Sequence, residues 1–513
     1  MMFATNASGA SLGDFLIGSG HSRSRSLLNS GVRPGVDKSF EPLYGKYVYC
    51  RSYGDEHVAC VDPMGLSKLY MYSDGERWAL SDSILELVEA AKQLSWPVTL
   101  YLPAIAGLLT AGGVGDQLLS YRTPYREISL LPHWKEVVVG TSGSIRIQNR
   151  KRPQCKYSDL REAVVDAVEF FSSLLQAYCH NNMSPYIALS GGIDSRCTLA
   201  VLLDAVANGG ARISAWTSKA GGHQSDWRIA SSICEKYGIP ISDSRSGVAW
   251  PSFRAWEISY LGEMSLLASF PRVHAGAPMF SGACGEVLRN FYDWRSLSRD
   301  LIVRHDGFDT DVLDQVYSDM RSALASSRDA YGQKLPDSIL HYRAFRNRFH
   351  FGRNGSDSVF NFWPLVSAFD ELAAIEGYED YANLHKIIGY AFRDVLDIEY
   401  DSEEKAFRGT KMNYQDPPRA VYQEARSVIL PLSDDLPYGG LIASSPDAVY
   451  TSFLRECINA REAVIESELL PKEVARRAAV ESERLSQMLN SGGAIRPRGY
   501  KNMMAILIAS KVL

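Results

Sequence analysis

The chain has 513 residues, too many for one compact core and enough for two or three domains. Its 46% hydrophobic and 22% charged content is ordinary for a globular protein. A formal net charge of −5 excludes a global basic field, so nucleic acid is not an expected partner.

The opening 35 residues are rich in Gly and Ser, carry the basic tract His21-Ser-Arg-Ser-Arg25, and read as a loose or partly ordered start. Residues 1–30 lack the continuous apolar run of a signal peptide, and no stretch is apolar enough to span a bilayer. From Tyr44 to Gln148 short alternating segments dominate: Lys46-Tyr-Val-Tyr-Cys50, His57-Val-Ala-Cys-Val61 and Lys68-Leu-Tyr-Met-Tyr72, parted by turns at Asp62-Pro63-Met64-Gly65 and Ser73-Asp74-Gly75. Trp134–Val139 and Ser144–Gln148 predict a hairpin across Gly140-Thr-Ser-Gly143. Asn149–Gln154 reads as a linker.

Beyond it the period changes. Leu160–Tyr178 repeats apolar residues at helical spacing, Tyr186–Leu189 is a short buried-type strand, and a helical run covers Cys197–Val206. Arg212–Trp216 predicts a second strand, Gln224–Tyr237 a helix and Gly238–Ile241 a third strand. Strands alternating with helices predict a parallel sheet covered on both faces. From Asp309 the chain reads as mainly helical, with an amphipathic helix at Pro471–Leu489. The eight cysteines are scattered without a Cys-x-x-Cys pair, which disfavours zinc ribbons and redox motifs and predicts reduced cysteines in a cytoplasmic protein.

Between the strand ending at Leu189 and the following helix lies Ser190-Gly-Gly-Ile-Asp-Ser195. Glycines permit tight turning and close approach of the backbone to phosphates, and a helix N-terminus offers oriented N–H groups to an anion. Ser190 and Ser195 supply hydroxyl donors. Asp194 would repel phosphate directly, so its sensible role is to hold a Mg²⁺ bridging to it. A Ser/Gly turn with Asp194 as helix cap is the plainer alternative; the strand before and the helix after favour phosphate. The Gly-Lys-Ser/Thr P-loop and a GxGxxG fingerprint are both absent from this loop.

This loop resembles that of the ATP pyrophosphatases, or PP-loop family, whose members form an adenylate and release pyrophosphate. Other segments are similar to the asparagine synthetase-like branch: Asp62-Pro-Met-Gly65 with Leu69-Tyr70, Thr217, Ser225-Asp226 with Ala230, Ser281-Gly-Ala-Cys-Gly-Glu286, Pro364-Leu365 and Lys405-Ala-Phe407. The resemblance spans residues 44–410. It implies an α/β PP-loop parallel-sheet synthetase domain with a helical C-terminal part over residues 155–513. A β-rich, Ntn-hydrolase-like (glutaminase-like) domain would precede it over residues 1–150. It also implies a ligase dependent on ATP and Mg²⁺. A carboxylate of a small-molecule or peptide substrate is adenylated, AMP and pyrophosphate are released, and an amine forms the amide. Leu189, Ser190, Gly191, Gly192, Asp194, Ser195, Thr217, Gly282 and Gly285 would contact the nucleotide, Asp194 and Glu286 the metal. Lys405 or Lys411 would follow the developing charge, with Lys405 the first choice because it fits the Lys-x-Phe pattern.

Several positions depart from the family. Glutamine-dependent members expose Cys at position 2; this chain begins Met1-Met2, which predicts no glutaminase activity, as in β-lactam synthetases and lasso-peptide cyclases. Glu286 stands where Asp is usual, Ala283 where a Glu or Tyr sits, and Phe360 replaces the Glu that precedes the Pro-Phe-Leu-Asp segment. Tyr342, His350 and Tyr390 remain as candidate bases. Arg343, Arg346, Arg348 and Arg353 either meet an anion or form a solvated helix face. An ammonia-dependent asparagine synthetase, a tRNA-modifying PP-loop enzyme and an inactive scaffold are the alternatives, and self-association into a homo-oligomer stays open.

Overall fold

The computed structural model describes residues 2–5, 15–22, 27–34, 42–110, 117–140, 142–150, 157, 159–219, 223–243, 248–251, 270–271, 278–289, 291–292, 297, 307–331, 335–352, 362–364, 381–408, 429–430, 442–443, 446–491 and 500–513. The alternating segments of the N-terminal part pair into two sheets. Strands β1 (Met2–Thr5), β2 (Phe15–Ser22), β3 (Leu27–Pro34), β4 (Pro42–Tyr53) and β5 (Glu56–Val61) come first. After β6 (Tyr70–Ser73) and β7 (Trp78–Ser81), helices α1 (Ile84–Gln93) and α2 (Leu102–Leu108) precede β8 (Ile128–Leu130), β9 (Lys135–Gly140) and β10 (Ile145–Asn149). The expected hairpin is present, with Val139 opposite Ile145.

Of the two expectations for the start of the chain, the loose one is set aside and the partly ordered one holds. The Gly/Ser-rich start contains strands β1, β2 and β3. Gly and Ser weaken local strand propensity, but β2 gains ladder partners on both sides, β3 and β4, and pairing overrides propensity.

The sheets run β1-β7-β6-β8 and β10-β9-β5-β4-β2-β3, and a short strand at Ile429–Leu430 adds parallel to β3. Val48, Cys50, Val61, Val137 and Val139 of the larger sheet meet Trp78 and Leu80 of the smaller one. Period-two alternation turns Tyr70, Tyr72, Ala79, Ile128 and Leu130 to the other side, onto α1. Ser83 caps α1, accepting from Glu86 N at 3.2 Å.

The second unit opens with α3 (Leu160–His180), capped by Asp159, then β11 (Tyr186–Ala188), α4 (Ile193–Ala207), β12 (Ser214–Trp216), α5 (Gln224–Tyr237) and β13 (Ile241–Ser242). Gly238, at φ 65°, ends α5 in the left-handed conformation that favours glycine. After β14 (Val248–Pro251) and β15 (Phe270–Pro271), β16 (Met279–Ser281) and β17 (Phe362–Pro364) complete a parallel sheet of order β13-β12-β11-β16-β17. Ile187 registers with Ala215 on one side and Phe280 on the other. β11 is therefore where the strand order changes direction, and the crevice at the carboxyl ends of β11 and β16 is the expected place for a ligand.

Helix α6 (Thr310–Tyr331) packs on α2. Asp337–His341, Tyr342–Arg346 and Asn347–His350 run on as one helix, α7, whose middle turn is π. α8 (Ala382–Phe392) and α3 flank α4, which is buried around most of its circumference. The last helices are α9 (Pro446–Glu466), α10 (Lys472–Ser491) and α11 (Tyr500–Ser510). They share a core with Tyr70, Tyr72 and α1, and Tyr125 Oη donates to Ile508 O at 3.0 Å. The C-terminal end of the chain thus covers the outer face of the smaller N-terminal sheet. No helix among the described residues is long and apolar enough to cross a membrane.

Candidate active site

The segment between β11 and α4 is tied by its own short side chains. Ser195 Oγ accepts from Ser190 N at 3.1 Å and lies 3.0 Å from Ser190 Oγ, which accepts from Gly192 N at 3.2 Å. Gly191 N donates to Asp226 Oδ1 at 2.8 Å, so the start of α5 holds the loop from the side. Leu189 N donates to Trp216 O at 2.9 Å, and buried Thr217, at the end of β12, donates its N–H to Ser242 O at 3.1 Å. The helix cap is Gly192, with no side-chain cap bond. Asp194 lies inside the first turn and its carboxylate turns elsewhere, so the capping alternative does not describe it.

The loop after β16 packs directly on this one. A Cβ at Gly282 would fall 2.6 Å from Ser195 Cα, and one at Gly285 would fall 2.6 Å from Asp194 Cγ. The first clash is with backbone, so residue 282 has to be glycine for the two loops to touch. Thr198 Oγ1, one turn into α4, donates to Ser281 O at 3.1 Å and fastens the pair. Cys284 takes φ 68°, in the left-handed region, to make the turn.

Carboxylates meet at this junction. Arg289 NH2 lies 3.3 Å from Asp194 Oδ2 and 3.8 Å from Glu286 Oε1. Asp194 Oδ1 and Glu286 Oε2 are buried and have no hydrogen-bond partner among the described residues. Burial raises the Asp194 pKa against the lowering effect of Arg289. Burial and then the Asp194 charge push Glu286 up to about 7. Despite its own burial, the carboxylates Asp194 and Glu286 keep the Arg289 guanidinium charged. Two orphaned, partly desolvated carboxylate oxygens are the donor type that a hard divalent cation selects. Asp194 and Glu286 therefore fit a Mg²⁺ ion that also takes ligand and water oxygens. No group of three His, Cys, Asp or Glu side chains suited to a metal occurs among the described residues.

Lys405 reaches the same junction from the other side. Its Nζ donates to Asp401 Oδ2 at 2.7 Å, and Asp401 N donates to Gly191 O at 3.2 Å. The Lys405 charge also lowers the Asp194 pKa. Arg196 holds this strap in place. It is fully buried on α4, donates to Ile398 O and Glu399 O at 2.5 Å each, and lies 3.6 Å over the Tyr400 ring. His385 Nε2 donates to Lys405 O at 2.9 Å. Lys411, Phe360 and Arg353 lie outside the described residues.

Of the candidate bases, Tyr342 comes nearest to the carboxylates: its buried hydroxyl interacts with Glu286 and lowers that carboxyl's pKa, while burial and then the Glu286 charge raise its own, so it stays a protonated phenol and is a donor, not a base. It begins the π turn of α7, a local distortion frequent at functional sites. Ala283 is buried and supplies no acid or base. The arginines of α7 are not a solvated face, because Arg343, Arg346 and Arg348 are all buried. Arg348 Nε donates to Gly65 O at 2.9 Å and NH1 to Leu131 O at 3.1 Å, joining α7 to the N-terminal sheets. Asp62 shapes the partner turn by accepting from Met64, Leu66 and Ser67 N–H groups. Arg346 lies 5.6 Å over Phe291.

Arg289, Asp226 and Asp401 are the members of this site to which sequence reasoning gave no role. Arg289 follows Glu286 by three residues, a spacing that places two side chains together on a tight helical turn, and that was its one local signal. Comparison of the chain with models of known families and with curated proteins found no match.

Proposed function

We propose that the protein is an AMP-forming carbon–nitrogen ligase that adenylates a substrate carboxylate with ATP and passes the acyl group to an amine. One observation carries the reading: the glycine loop at 190–195 and the loop at 281–286 meet at a strand-order switch, with Asp194 and Glu286 each keeping an orphaned buried oxygen. Such a junction suits a polyphosphate and its counter-cation.

In this reading a carboxylate oxygen of the substrate attacks the α-phosphorus. The bond to the bridging oxygen breaks, and its electron pair leaves on pyrophosphate. The amine then attacks the acyl carbon, loses a proton to solvent or a nearby base, and expels AMP with the electron pair of the C–O bond. Asp194 and Glu286 would hold Mg²⁺, which would supply positive charge to offset the negative charge of the phosphates. Ser190 and Ser195, whose hydroxyls bond to one another in the ligand-free loop, would donate to the phosphates, and the first turn of α4, which has no side-chain cap bond, would add its dipole. Lys405 exchanges Asp401 for the negative charge that develops on phosphate and acyl oxygens.

The test is a screen for pyrophosphate release from ATP with a panel of carboxylic acids, with and without amines. Release that requires an acid, with an amide formed only when an amine is added, supports the assignment. Amide formation coupled to ADP and phosphate overturns it.

A further inference from the structure

Arg289 is placed unlike an ordinary ion-pair partner. A single terminal nitrogen of its guanidinium serves both carboxylates, at 3.3 Å and 3.8 Å. Charge-assisted N–H···O bonds run about 2.7–2.9 Å, so this pairing is loose. Tighter pairs occur nearby, such as Lys405 Nζ to Asp401 at 2.7 Å. Arg289 Nε is buried without a hydrogen-bond partner among the described residues, and the Tyr381 ring lies 5.6 Å from Cζ. The junction therefore holds two orphaned acceptor oxygens and an orphaned guanidinium donor side by side. The acceptors ask for a cation and the donor asks for an oxyanion.

We infer that Arg289 is a pyrophosphate-binding residue: it leaves the Asp194/Glu286 pair when a divalent cation arrives and turns its fork onto the oxygens of the leaving pyrophosphoryl group. The inference rests on the nucleotide reading above and adds a binding residue to it. Charge balance supports the exchange. A divalent cation neutralises the two carboxylates, which leaves the guanidinium without its partners and next to an anion it fits in bidentate fashion. The Tyr381 ring offers a face for the cation to lean on during the exchange. Arg289 also sits at the end of the same short turn as Glu286, so the metal-holding and anion-holding groups are delivered by one loop.

The experiment is calorimetric titration of the full chain in Mg²⁺ with ATP for wild type, and with pyrophosphate for wild type, Arg289→Lys and Arg289→Gln, with Mn²⁺ binding in the absence of any anion read by electron paramagnetic resonance. The expected result is a pyrophosphate affinity at least ~10-fold weaker in Arg289→Gln and intermediate in Arg289→Lys, with Mn²⁺ binding alone retained in both. Arg289→Gln binding pyrophosphate within twofold of wild type overturns the inference. So does loss of Mn²⁺ binding in both variants, which would make Arg289 a support of the metal site only. Wild type that binds neither ATP nor pyrophosphate sinks the nucleotide reading itself, a failure visible before any variant is compared.

Discussion

Gly285 stands against the side chain of Asp194, so close that a Cβ there would fall 2.6 Å from the carboxylate carbon. The two residues belong to different loops and lie 91 positions apart in the chain (285 − 194). Their contact fixes where the carboxylate points, toward Arg289 and Glu286. Gly285→Ala should push Asp194 out of this position while leaving the parallel sheet intact. The expected outcome is a loss of acid-dependent pyrophosphate release of at least ~100-fold, since misplacement of an ångström at a reacting centre has that scale. Steady-state kinetics and a thermal melt on the same sample check it, and near-normal turnover would count against the loop junction as the catalytic centre.

Lys405→Met removes the cation that Asp401 holds beside Gly191. Both side chains are about three-quarters buried, at 24% and 23% exposure, so the pair is held and not merely solvated. Adenylation and amide formation should both fall at least ~100-fold, with little change in the melting temperature. Pyrophosphate release and amide product are measured together for Lys405→Met and Lys411→Met. Retention of both in the first and loss in the second would transfer the role to Lys411.

Much of this site was legible locally, and some of it was not. The strand, glycine loop and helix around Asp194 announce themselves within ten residues, because turn chemistry and periodicity are short-range signals. Helix α5 matches its expected limits, Gln224–Tyr237, since Gly238 marks its end. Helix α4 begins at Ile193, four residues before the apolar run that suggested it, because the loop and the first turn are continuous. Arg289 and Arg196 were hidden by distance along the chain: Asp194 lies 95 positions from Arg289, whose local partner Glu286 gives only a weak signal, and Ile398 lies 202 positions from Arg196. The same holds for Arg348, whose carbonyl acceptor at Gly65 is 283 positions distant. A run of arginines on one helix carries no sign of which will be buried. Strands β1–β3 were missed for a related reason, since their ladder partners, not their composition, make them strands.

Glu286 gives the ligand-free protein a pH signature. Its pKa in the fold is about 7, against an ordinary value of 4.5, so between these the folded state holds a proton that the unfolded chain has lost. That stability is fully present below pH 4.5 and is lost as the pH rises through about 7. Glu286→Gln cannot ionise and should escape the loss. Chemical denaturation at pH 5 and pH 8 should show the variant gaining on wild type by on the order of 1–3 kcal/mol at the higher pH. Mg²⁺ at pH 8 should narrow the gap by stabilising wild type alone. A pH-independent difference would mean that Glu286 is not the desolvated partner of Asp194.

The central claim is that the junction of the two loops cleaves ATP between the α- and β-phosphates, and the identity of the nucleotide product tests it most directly. Wild type and Asp194→Asn are incubated with ATP, Mg²⁺ and an accepted carboxylic acid, and the products are separated by chromatography. The account predicts AMP and pyrophosphate in equal amounts from wild type. It predicts neither from Asp194→Asn, whose melting temperature should stay close to that of wild type, because Gly192 and not Asp194 caps α4. Stoichiometric ADP and phosphate from wild type, or near-normal turnover by Asp194→Asn, would contradict it.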